Sequence, residues 1–475
     1  MAVKHAELQQ KHRPLFHFVG IGGAGMGAIA SILLDRGYRV SGSDVAMHDN
    51  IAKLTARGAD VHIGHDAANI CHADYVVYST AVAQDNVELV AAREQNIPIM
   101  HRSQMLAKVM QEGQGVAIAG AHGKTTTTSM VAFALEQAGL DPTFLIGGIV
   151  SNLGVGAKAG KGDFVIAEAD ESDGSFLNYT PAVAVVTNIE ADHLEHYDGD
   201  FANLKKAYLA FMNRVTPDGL LIACIDSETV RDLLPNVSCV VQTYAIDRND
   251  ADYTVSVLHT DEHGSQCQVL WHGELLGVLE LHVPGRHNIA NALATIAVAL
   301  HAGIPFSVIA LSLKEFRGAM RRLQVLHDEN DITIIDDYAH HPTEIKVTLA
   351  AVRVSHRRIV AVFQPQRYTR TFHLFNEFAK AFELADDVII TDIYSPAGEQ
   401  PIAGVSASLL TDAICAQSNA RAKYRATKDD VLHYLQTSVM PGDVVITMGA
   451  GDIWKVGKEL SQWLAIHDGE NVATV

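Results

Sequence analysis

The sequence predicts an α/β protein with three successive domains. Short apolar runs alternate with amphipathic stretches along most of the chain, which is typical of parallel strands with helices packed against them. The alternation restarts near residues 105 and 322, so the predicted domains are 1–105, 106–322 and 323–475. The length of 475 residues agrees with this division, since globular chains form about one domain per roughly 150 residues.

The first domain is predicted to be a parallel sheet flanked by helices. Its predicted strands are Leu15–Val19, Arg39–Val40, Val61–Ile63, Tyr75–Ser79 and Ile97–Met100. Its predicted helices include Ala28–Leu34 and Val87–Gln95. The strands are short and mainly apolar and the helices are amphipathic, so both element types have surface to bury against each other.

The second domain repeats this pattern and then departs from it. Its predicted strands are Val116–Ala119, Phe144–Ile146, Phe164–Ala167, Val183–Thr187 and Leu220–Ala223. From Cys239 to Val283, runs such as Tyr253–Leu258 and Gln266–Trp271 are separated by Asp, Glu, His and Gly turns, which indicates a small antiparallel patch. A helix is predicted over Ile289–Leu300. The third domain returns to the α/β pattern, with predicted strands Ile332–Ile335, Ile359–Phe363, Val388–Thr391 and Val444–Met448.

Composition excludes several classes of partner and location. The net charge of −19 argues against nucleic acid, because a general phosphate-binding surface is basic. No apolar run is long enough for a membrane span, and Met1–Arg13 is polar, without the apolar region of a signal peptide. Scattered cysteines without metal or redox spacing are typical of reduced thiols in a cytoplasmic protein. They are Cys71, Cys224, Cys239, Cys267 and Cys415.

The most informative motif lies between a predicted strand ending at Ala119 and a predicted helix. Its residues are Gly120, Ala121, His122, Gly123, Lys124, Thr125 and Thr126. Glycines let backbone N–H groups surround phosphate oxygens, the lysine can reach terminal phosphates, and Thr125 can ligate Mg²⁺. The spacing is not that of the standard P-loop, which needs glycine where this chain has Ile118. The alternative is a glycine turn that binds nothing.

A second glycine-rich motif follows the first strand. Gly20, Gly22 and Gly25 have the G-x-G-x-x-G spacing of a diphosphate-binding loop, and Asp44 ends the next strand, where a ribose-binding acid often lies. The neighbouring loop residues expected at the diphosphate are Gly23, Ala24 and Met26. The motif fits a UDP-linked substrate as well as a nicotinamide cofactor. Close helix–strand packing without a ligand is the alternative.

Acids and imidazoles follow two further strands of the second domain. Glu168 ends one strand, where α/β sheets bind ligands, and its carboxylate suits a hard cation such as Mg²⁺. His193 follows another strand and is a second candidate metal ligand. For Glu168, and more so for Asp170 and Glu171, the alternative is a solvated acidic loop.

Polar clusters also lie at a helix start and after strands of the third domain. Asn288 and Asn291 are one helical turn apart, where they either meet a nucleotide or cap the helix. Further candidates follow the strand ends, where cations can bind carboxylate or phosphate and a solvated loop is the alternative. The candidates after strand ends are Asp337, His340, Arg367 and Arg370, while Arg321 and Arg322 lie near the second domain boundary.

Together these motifs resemble the Mur ligase family. Four stretches in this order carry the resemblance: Gly120–Thr127, Asn188–His193, His287–Ala292 and Asp336–Glu344. Gly20–Met26 and Pro365–Thr371 add to it, so that it covers essentially the whole chain. The resemblance implies a UDP-binding Rossmann-like domain, a central ATPase domain of P-loop type and a C-terminal Rossmann-like domain that closes over ATP and the amino acid.

The resemblance also implies the reaction and its place in the cell. The carboxylate of UDP-N-acetylmuramate would attack the γ-phosphate of ATP to give an acyl phosphate. The amine of L-alanine would then displace phosphate, in the synthesis of peptidoglycan precursors in the bacterial cytoplasm. The implied partners are these substrates, with Mg²⁺ as cofactor, without nucleic acid or membrane insertion, and the chain is expected to be a monomer or weak homodimer.

Residue by residue, the resemblance assigns the catalytic centre as follows. Lys124 would stabilise the β- and γ-phosphates, Thr125 and Glu168 would hold one Mg²⁺, and His193 would hold a second. The residues placed at the nucleotide are Asn288, Arg322, Asp337 and His340. The residues placed at the muramoyl substrate or amino acid are Asn152, Arg367 and Arg370.

Three alternatives remain open on sequence alone. A sister ligase that joins a peptide to the same UDP-sugar would share nearly every motif. A nicotinamide-dependent oxidoreductase would explain the first glycine loop but not Lys124, and a non-catalytic UDP-sugar sensor would not need Lys124, Glu168 and His193. Many family members carry a carbamylated lysine after the histidine; Lys205 and Lys206 lie 12 and 13 positions past His193, and neither is assigned this role.

Overall fold

The computed structural model describes residues 13–395 and 399–467. Most of the polar N-terminal stretch, for which no targeting segment is predicted, lies outside them. The described residues form two compact units. One runs to Ser256 and includes Val269–Gly277 and Ala290–Leu313, and the other holds the remainder. No helix in the described ranges combines the length and apolarity needed to cross a membrane.

The first sheet is parallel, with strand order β3-β2-β1-β4-β5. Its strands are β1 Leu15–Val19, β2 Arg39–Asp44, β3 Asp60–Ile63, β4 Tyr75–Tyr78 and β5 Ile99–His101. Its helices are α1 Ala24–Asp35, α2 Asp49–Ala56, α3 Val87–Glu94 and α4 Arg102–Met110. All five predicted strands are confirmed. The strand order reverses between β1 and β4, and the glycine loop after β1 therefore lies at the topological switch point, where parallel sheets bind ligands.

The second sheet has ten strands in the order β15-β14-β13-β12-β11-β10-β6-β9-β7-β8. The parallel strands nearest the site are β6 Gln114–Ala119, β9 Phe164–Glu168 and β10 Val183–Val186. The others before the patch are β7 Thr143–Leu145, β8 Ala157–Lys158, β11 Leu220–Cys224 and β12 Val240–Tyr244. The associated helices are α5 Lys124–Gln137, α6 Phe201–Met212, α7 Glu228–Leu233, α8 Arg286–His301 and α9 Phe306–Glu315. The five predicted α/β strands of this domain are confirmed.

The predicted antiparallel patch corresponds to three strands, β13 Tyr253–Asp261, β14 Gly264–Trp271 and β15 Glu274–Leu281. Neighbouring strands are joined by two-residue connections, a length that permits only antiparallel pairing. In the second connection His272 and Gly273 have φ of 48° and 82°. Positive φ at both positions is the hairpin geometry that matches the twist of the strands.

The third sheet has the order β16-β17-β21-β18-β19-β20. Its strands are β16 Gln324–Glu329, β17 Ile332–Asp337, β18 Arg358–Phe363, β19 Asp387–Ile390, β20 Lys423–Tyr424 and β21 Asp443–Met448. Its helices are α10 Pro342–Arg353, α11 Tyr368–His373, α12 Phe375–Ala379, α13 Ala407–Gln417, α14 Lys428–Ser438 and α15 Trp454–Ile466. The four predicted strands are confirmed. The polar strand β16, antiparallel to β17, was not predicted, since half of its residues are exposed.

A buried polar network lies inside the first domain. Glu88, on α3, accepts hydrogen bonds from Ser43 Oγ at 2.5 Å and from Asn69 Nδ2 at 2.7 Å, and His17 Nε2 lies 3.4 Å away. Burial alone raises the pKa of this carboxyl, but the hydrogen bonds from His17, Ser43 and Asn69 outweigh burial and lower its pKa to about 2. The carboxylate therefore stays charged and fully paired in the core.

Replacing Glu88 with glutamine is expected to lower the free energy of unfolding by about 2–3 kcal/mol, because a charged acceptor is lost while its donors stay buried. Urea unfolding measures this, with Glu94→Gln at the exposed end of α3 as the control. Because the folded pKa lies below the ordinary value of 4.5, the contribution is present above pH 4.5 and lost as the pH falls toward 2. Equal unfolding midpoints for the two variants would contradict this assignment.

Candidate nucleotide and metal site

The loop between β6 and α5 is held open by residues that follow β10. Gly120 has φ of 143°, and a Cβ atom at this position would collide with Thr187 Oγ1. Thr187 Oγ1 and Asn188 Nδ2 donate to the carbonyl of His122 at 2.6 and 3.0 Å. The backbone N–H of His122 donates to Asn188 Oδ1 at 2.9 Å. The loop shape thus depends on Thr187 and Asn188, side chains far away in sequence.

Lys124 is the first residue of α5 and the main cation of this loop. Its Nζ lies 2.9 and 2.8 Å from the two carboxylate oxygens of Glu171 and also donates to the carbonyl of Gly120. The Lys124 side chain is 16% exposed and that of Glu171 is 3% exposed. Burial disfavours the ammonium, but Glu171, Asp170 and Glu168 outweigh burial and raise the pKa of Lys124. The Lys124 ammonium therefore stays protonated at physiological pH and places a positive charge at the loop between β6 and α5.

Glu171 is a functional candidate that the sequence analysis undervalued. The interpretation as a solvated acidic loop is wrong for this residue, because its carboxylate is buried and paired with Lys124. The two residues are separated by 47 positions, so no local pattern signals the contact.

Glu168 and Thr125 bring hard oxygen donors together beside the loop. Glu168 ends β9, and its Oε2 accepts from Thr125 Oγ1 at 3.2 Å. Its Oε1 accepts from the backbone N–H of Gly147 at 2.7 Å. A carboxylate and a hydroxyl at the start of a helix, next to a phosphate loop, form a donor set that fits Mg²⁺.

His193 follows β10, which is adjacent to β6 in the sheet. The carboxyl ends of β6, β9 and β10 therefore share one edge. Glu168 ends β9 at this edge and Lys124 follows β6, while His193 comes later in the loop after β10. The imidazole Nε2 lies 3.5 Å from a carboxylate oxygen of Asp192, and His193 has φ of 54°. Left-handed backbone in a residue other than glycine is uncommon and concentrates at functional sites.

The three asparagine candidates differ in their contacts. Asn291 Oδ1 accepts from Thr127 Oγ1 at 3.1 Å, which fixes the first turns of α5. Asn288 Nδ2 donates to the carbonyl of Pro284 at 2.7 Å, at the start of its own helix. Asn152 lies in the turn after Val150.

The two candidate lysines on α6 both contact residues of that helix. Lys205 Nζ lies 4.8 Å from the ring centroid of Phe201, and Lys206 Nζ donates to Asn203 at 3.3 Å. These contacts give no support for a carbamylated lysine at the second metal position.

A hydrogen bond to Asp44 fixes the glycine loop of the first sheet. One carboxylate oxygen of Asp44 accepts from the backbone N–H of Gly22 at 2.8 Å. A Cβ atom on Gly22 would lie 2.8 Å from the same oxygen, so only glycine allows this approach. Helix α1 begins immediately afterwards, and its N-terminal N–H groups face the loop. The loop residues Gly23, Ala24, Gly25 and Met26 lie around this helix start.

The third-domain candidates cluster after β17, in the second unit. Both carboxylate oxygens of Asp337 accept backbone N–H groups, from Leu323 and Ala339, each at 2.7 Å. Burial raises the pKa of Asp337 to about 6 in spite of the nearby Arg322. Burial also lowers the pKa of His340 to about 4, so this imidazole is neutral at physiological pH.

The candidate arginines of the second unit differ in their surroundings. The guanidinium of Arg322 lies 5.2 Å from the ring centroid of Tyr338. Arg321, which received no role, is bound to Asp336 at 3.0 Å and to two backbone carbonyls near the end of β21. Arg367 is the N-cap residue of α11, the helix after β18, and Arg370 lies in the last turn of this helix and donates to Gln366 at 3.2 Å.

Each of the three predicted domains contains a largely parallel sheet. The central domain also carries a lysine-bearing glycine loop with an adjacent pair of oxygen donors. These features fit an ATP-dependent ligase. Family models match nearly the whole chain: "Mur ligase family, catalytic domain" over residues 15–114, "Mur ligase middle domain" over 118–299 and "Mur ligase, glutamate ligase domain" over 321–451. The chain belongs to the Mur ligase family. The predicted three-domain α/β fold is thereby confirmed, while the exact domain boundaries stay a prediction.

The similar curated relatives belong to the alanine-joining branch of the family. The UDP-N-acetylmuramate–L-alanine ligase of Desulforamulus reducens is 48% identical over 457 residues, covering 96% of this chain and 98% of that protein. The same ligase of Pelotomaculum thermopropionicum is 49% identical over 445 residues, covering 94% and 96%.

Solved structures agree with this branch. The UDP-N-acetylmuramate–alanine ligase of Thermotoga maritima has a TM-score of 0.80 at 29% identity, covering 96% of this chain and all of that chain. A murein peptide ligase from Psychrobacter arcticus has a lower TM-score of 0.68 at 25% identity, covering 95% and 98%. The alanine-joining branch is thus favoured over the peptide-joining one.

Proposed function

We propose that this chain is an ATP-dependent ligase that joins L-alanine to the carboxylate of UDP-N-acetylmuramate in peptidoglycan precursor synthesis. The observation that carries the proposal is the buried Lys124 on a Gly-x-His-Gly-Lys-Thr loop, beside the Thr125–Glu168 pair. Near-full-length similarity to alanine ligases supports the choice of substrates. We place the enzyme in the cytoplasm, as a monomer or weak homodimer.

The reaction proceeds in two balanced steps. A carboxylate oxygen of UDP-N-acetylmuramate attacks the γ-phosphorus of ATP, the bond to ADP breaks, and an acyl phosphate forms. The neutral amine of L-alanine then attacks the acyl carbon, inorganic phosphate leaves, and one proton is lost from the nitrogen. Both steps bring anions together, so positioning and charge neutralisation supply most of the catalysis.

Lys124 would neutralise the terminal phosphates and release its ion pair with Glu171 when the nucleotide binds. Gly120, Ala121, His122, Gly123 and Thr126 would surround the phosphates with backbone and side-chain donors. Asn288, Arg322, Asp337 and His340 would serve the rest of the nucleotide. The diphosphate of the UDP-sugar would lie on the glycine loop, while Asn152, Arg367 and Arg370 would serve the muramoyl group or the amino acid.

Mg²⁺ fits the donor set described above. Thr125 and Glu168 would hold one ion and His193 a second. When bound, the ions supply charge neutralisation between the reacting carboxylate and the phosphates. The chain's own part would be to orient Glu168, whose Oε1 accepts from the backbone N–H of Gly147, and to present His193 from the loop after β10.

The decisive experiment measures phosphate release with UDP-N-acetylmuramate, ATP and Mg²⁺ across a panel of amino acids. L-alanine should give the highest kcat/KM, and a tripeptide acceptor should give little. Preference for the tripeptide would identify the sister ligase. Phosphate release without an added amine, or binding of UDP-sugar without any turnover, would refute the proposal.

The KM for ATP is expected to rise as the pH falls below about 6. Asp337 has a pKa raised to about 6 by burial, and protonation removes the charge that holds the N–H groups of Leu323 and Ala339. The loops around the proposed ribose position then lose their fixed geometry. Asp337→Asn should flatten this pH dependence, whereas Glu377→Gln, at an exposed position of α12, should keep it. A persistent inflection in Asp337→Asn would contradict the assignment.

A further inference from the structure

Arg102 places a cation directly against the glycine loop of the first sheet. It is the first residue of α4, whose N-terminus is fixed by a capping box between His101 and Gln104. A Cβ atom on Gly25 would lie only 3.1 Å from Nη1 of Arg102. The guanidinium therefore lies beside the first turn of α1, where the diphosphate of the UDP-sugar is proposed to bind.

The two helix starts at this position disfavour a cation. Both α1 and α4 begin here, and each helix start carries N–H groups without helical partners and a partial positive charge. A guanidinium next to two such helix starts repels both of them. The same three groups together are strongly attractive to a diphosphate, which a guanidinium can bind through two parallel N–H bonds.

Two acids partly compensate the charge of Arg102. Its Nη2 lies 3.7 Å from Asp170 Oδ2 and 3.9 Å from Asp173 Oδ2. Both distances exceed hydrogen-bond length, and over residues 13–395 and 399–467 the Arg102 side chain makes no hydrogen bond. Asp173 is 8% exposed, and its Oδ2 has no hydrogen-bond partner in the same ranges. The two carboxylates therefore attract the guanidinium without forming a hydrogen bond to it.

The acids and Arg102 are held at a fixed separation. Asn178, shortly after Asp173, donates through Nδ2 to Ser103 Oγ at 2.8 Å. Ser175 donates its backbone N–H to Asp173 Oδ1 at 3.0 Å. The acidic segment is therefore tied to the start of α4, so only the guanidinium itself has to move to reach a ligand.

We propose that Arg102 binds the diphosphate of the UDP-sugar, and that Asp170 and Asp173 hold its guanidinium beside the glycine loop until the ligand arrives. The inference rests on the proposed function and deepens it by naming a diphosphate ligand outside the glycine motif. Arg102 is the binding residue, and the two aspartates are positioning residues. Because the aspartates compete with the diphosphate for one cation, their removal strengthens binding while removal of Arg102 weakens it.

The test measures the binding of UDP alone to the full-length chain by calorimetry. Arg102→Ala is expected to weaken UDP binding by at least about tenfold, since charge-assisted bonds to phosphate are among the strongest polar contacts. Arg102→Lys should be intermediate, because lysine keeps the charge but loses the paired geometry. The matched control Lys108→Ala removes an exposed cation from the same helix and should leave UDP affinity unchanged.

The positioning role has its own readout. The double variant Asp170→Asn with Asp173→Asn should bind UDP about two- to fivefold more tightly, since a weak competing ion pair has been removed. Adding Arg102→Ala to this double variant should abolish the gain. A purely structural role for the aspartates predicts weaker binding instead, with or without Arg102.

The outcomes separate this inference from the proposed function. Wild-type affinity in Arg102→Ala, or a gain from the aspartate changes that persists without Arg102, overturns the inference alone. Failure of the wild-type chain to bind UDP overturns both. Binding of an ATP analogue and the melting temperature establish that each variant is folded, and if Arg102→Ala does not fold, Arg102→Lys decides: undiminished UDP affinity in that variant overturns the proposal.

Discussion

Replacing Lys124 with alanine is expected to lower ligase turnover by at least about a thousandfold, since a single preorganised charge on a transferring phosphoryl group is worth this much or more. Lys124 begins α5, its ammonium is buried, and Glu171, Asp170 and Glu168 keep it protonated. No other lysine follows in the first turn, so the charge has no local replacement. Phosphate release with saturating substrates measures the loss.

The same variant is expected to lose stability, which requires a control. Glu171 is 3% exposed, and removal of its partner leaves a buried, unpaired carboxylate that costs about 3–5 kcal/mol. The double variant Lys124→Ala with Glu171→Gln should recover most of the stability but none of the activity. UDP binding should be normal in both variants. A return of turnover in the double variant would show that Lys124 serves folding and not catalysis.

Much of the fold could be predicted because its strands are buried on both faces. All four residues of β10, Val183–Val186, are apolar and buried, and such runs between amphipathic stretches have few alternatives. Polar or very short strands escaped prediction. β16 is half exposed, and β8 has only the two residues Ala157–Lys158, so their pairing comes from neighbouring segments and not from their own pattern.

The candidate site also contains residues that the sequence predicts and residues that it does not. Lys124 and Glu168 were predictable because each lies where a parallel strand ends, and sheet topology brings such ends together. Glu171 and Asn188 were given no role, since their partners lie 47 and 66 positions away. Arg102 was also missed. Its proposed role depends on its contacts with the glycine loop and with an acidic segment of the next predicted domain, and only the folded chain brings these three parts together.

Asp44 makes a contact that its motif did not predict. The sequence places its carboxylate at the ribose of the UDP-sugar. One of its oxygens accepts from Gly22 N–H, and His48 lies 3.6 Å from the other. The acid therefore shapes the loop, and its contact with the ribose stays a prediction. A local pattern defines which strand end an acid occupies, but not which of its neighbours it bonds.

Replacing Glu168 with glutamine is expected to lower kcat by about 10²–10³-fold and to raise the Mg²⁺ concentration needed for half-maximal rate, because an amide is a far weaker ligand for a hard cation. Glutamine has nearly the same volume, its amide oxygen can still accept from Gly147, and its NH2 group can donate to the Thr125 hydroxyl, so the local structure should survive. Phosphate release is measured as a function of free Mg²⁺, and binding of the ion with ATP is measured separately by calorimetry.

The control for this variant is Glu136→Gln, which removes a carboxylate from the opposite end of α5, where it pairs with Lys158. That change should cost some stability but leave the Mg²⁺ dependence unaltered. Activity of Glu168→Gln that is recovered by excess Mg²⁺ would assign the carboxylate to metal binding alone. Loss that persists at saturating Mg²⁺ would mean that its charge also positions the reacting phosphate. An unchanged Mg²⁺ dependence and kcat would remove Glu168 from the metal site and leave Lys124 as the only charged group of the loop with a catalytic role.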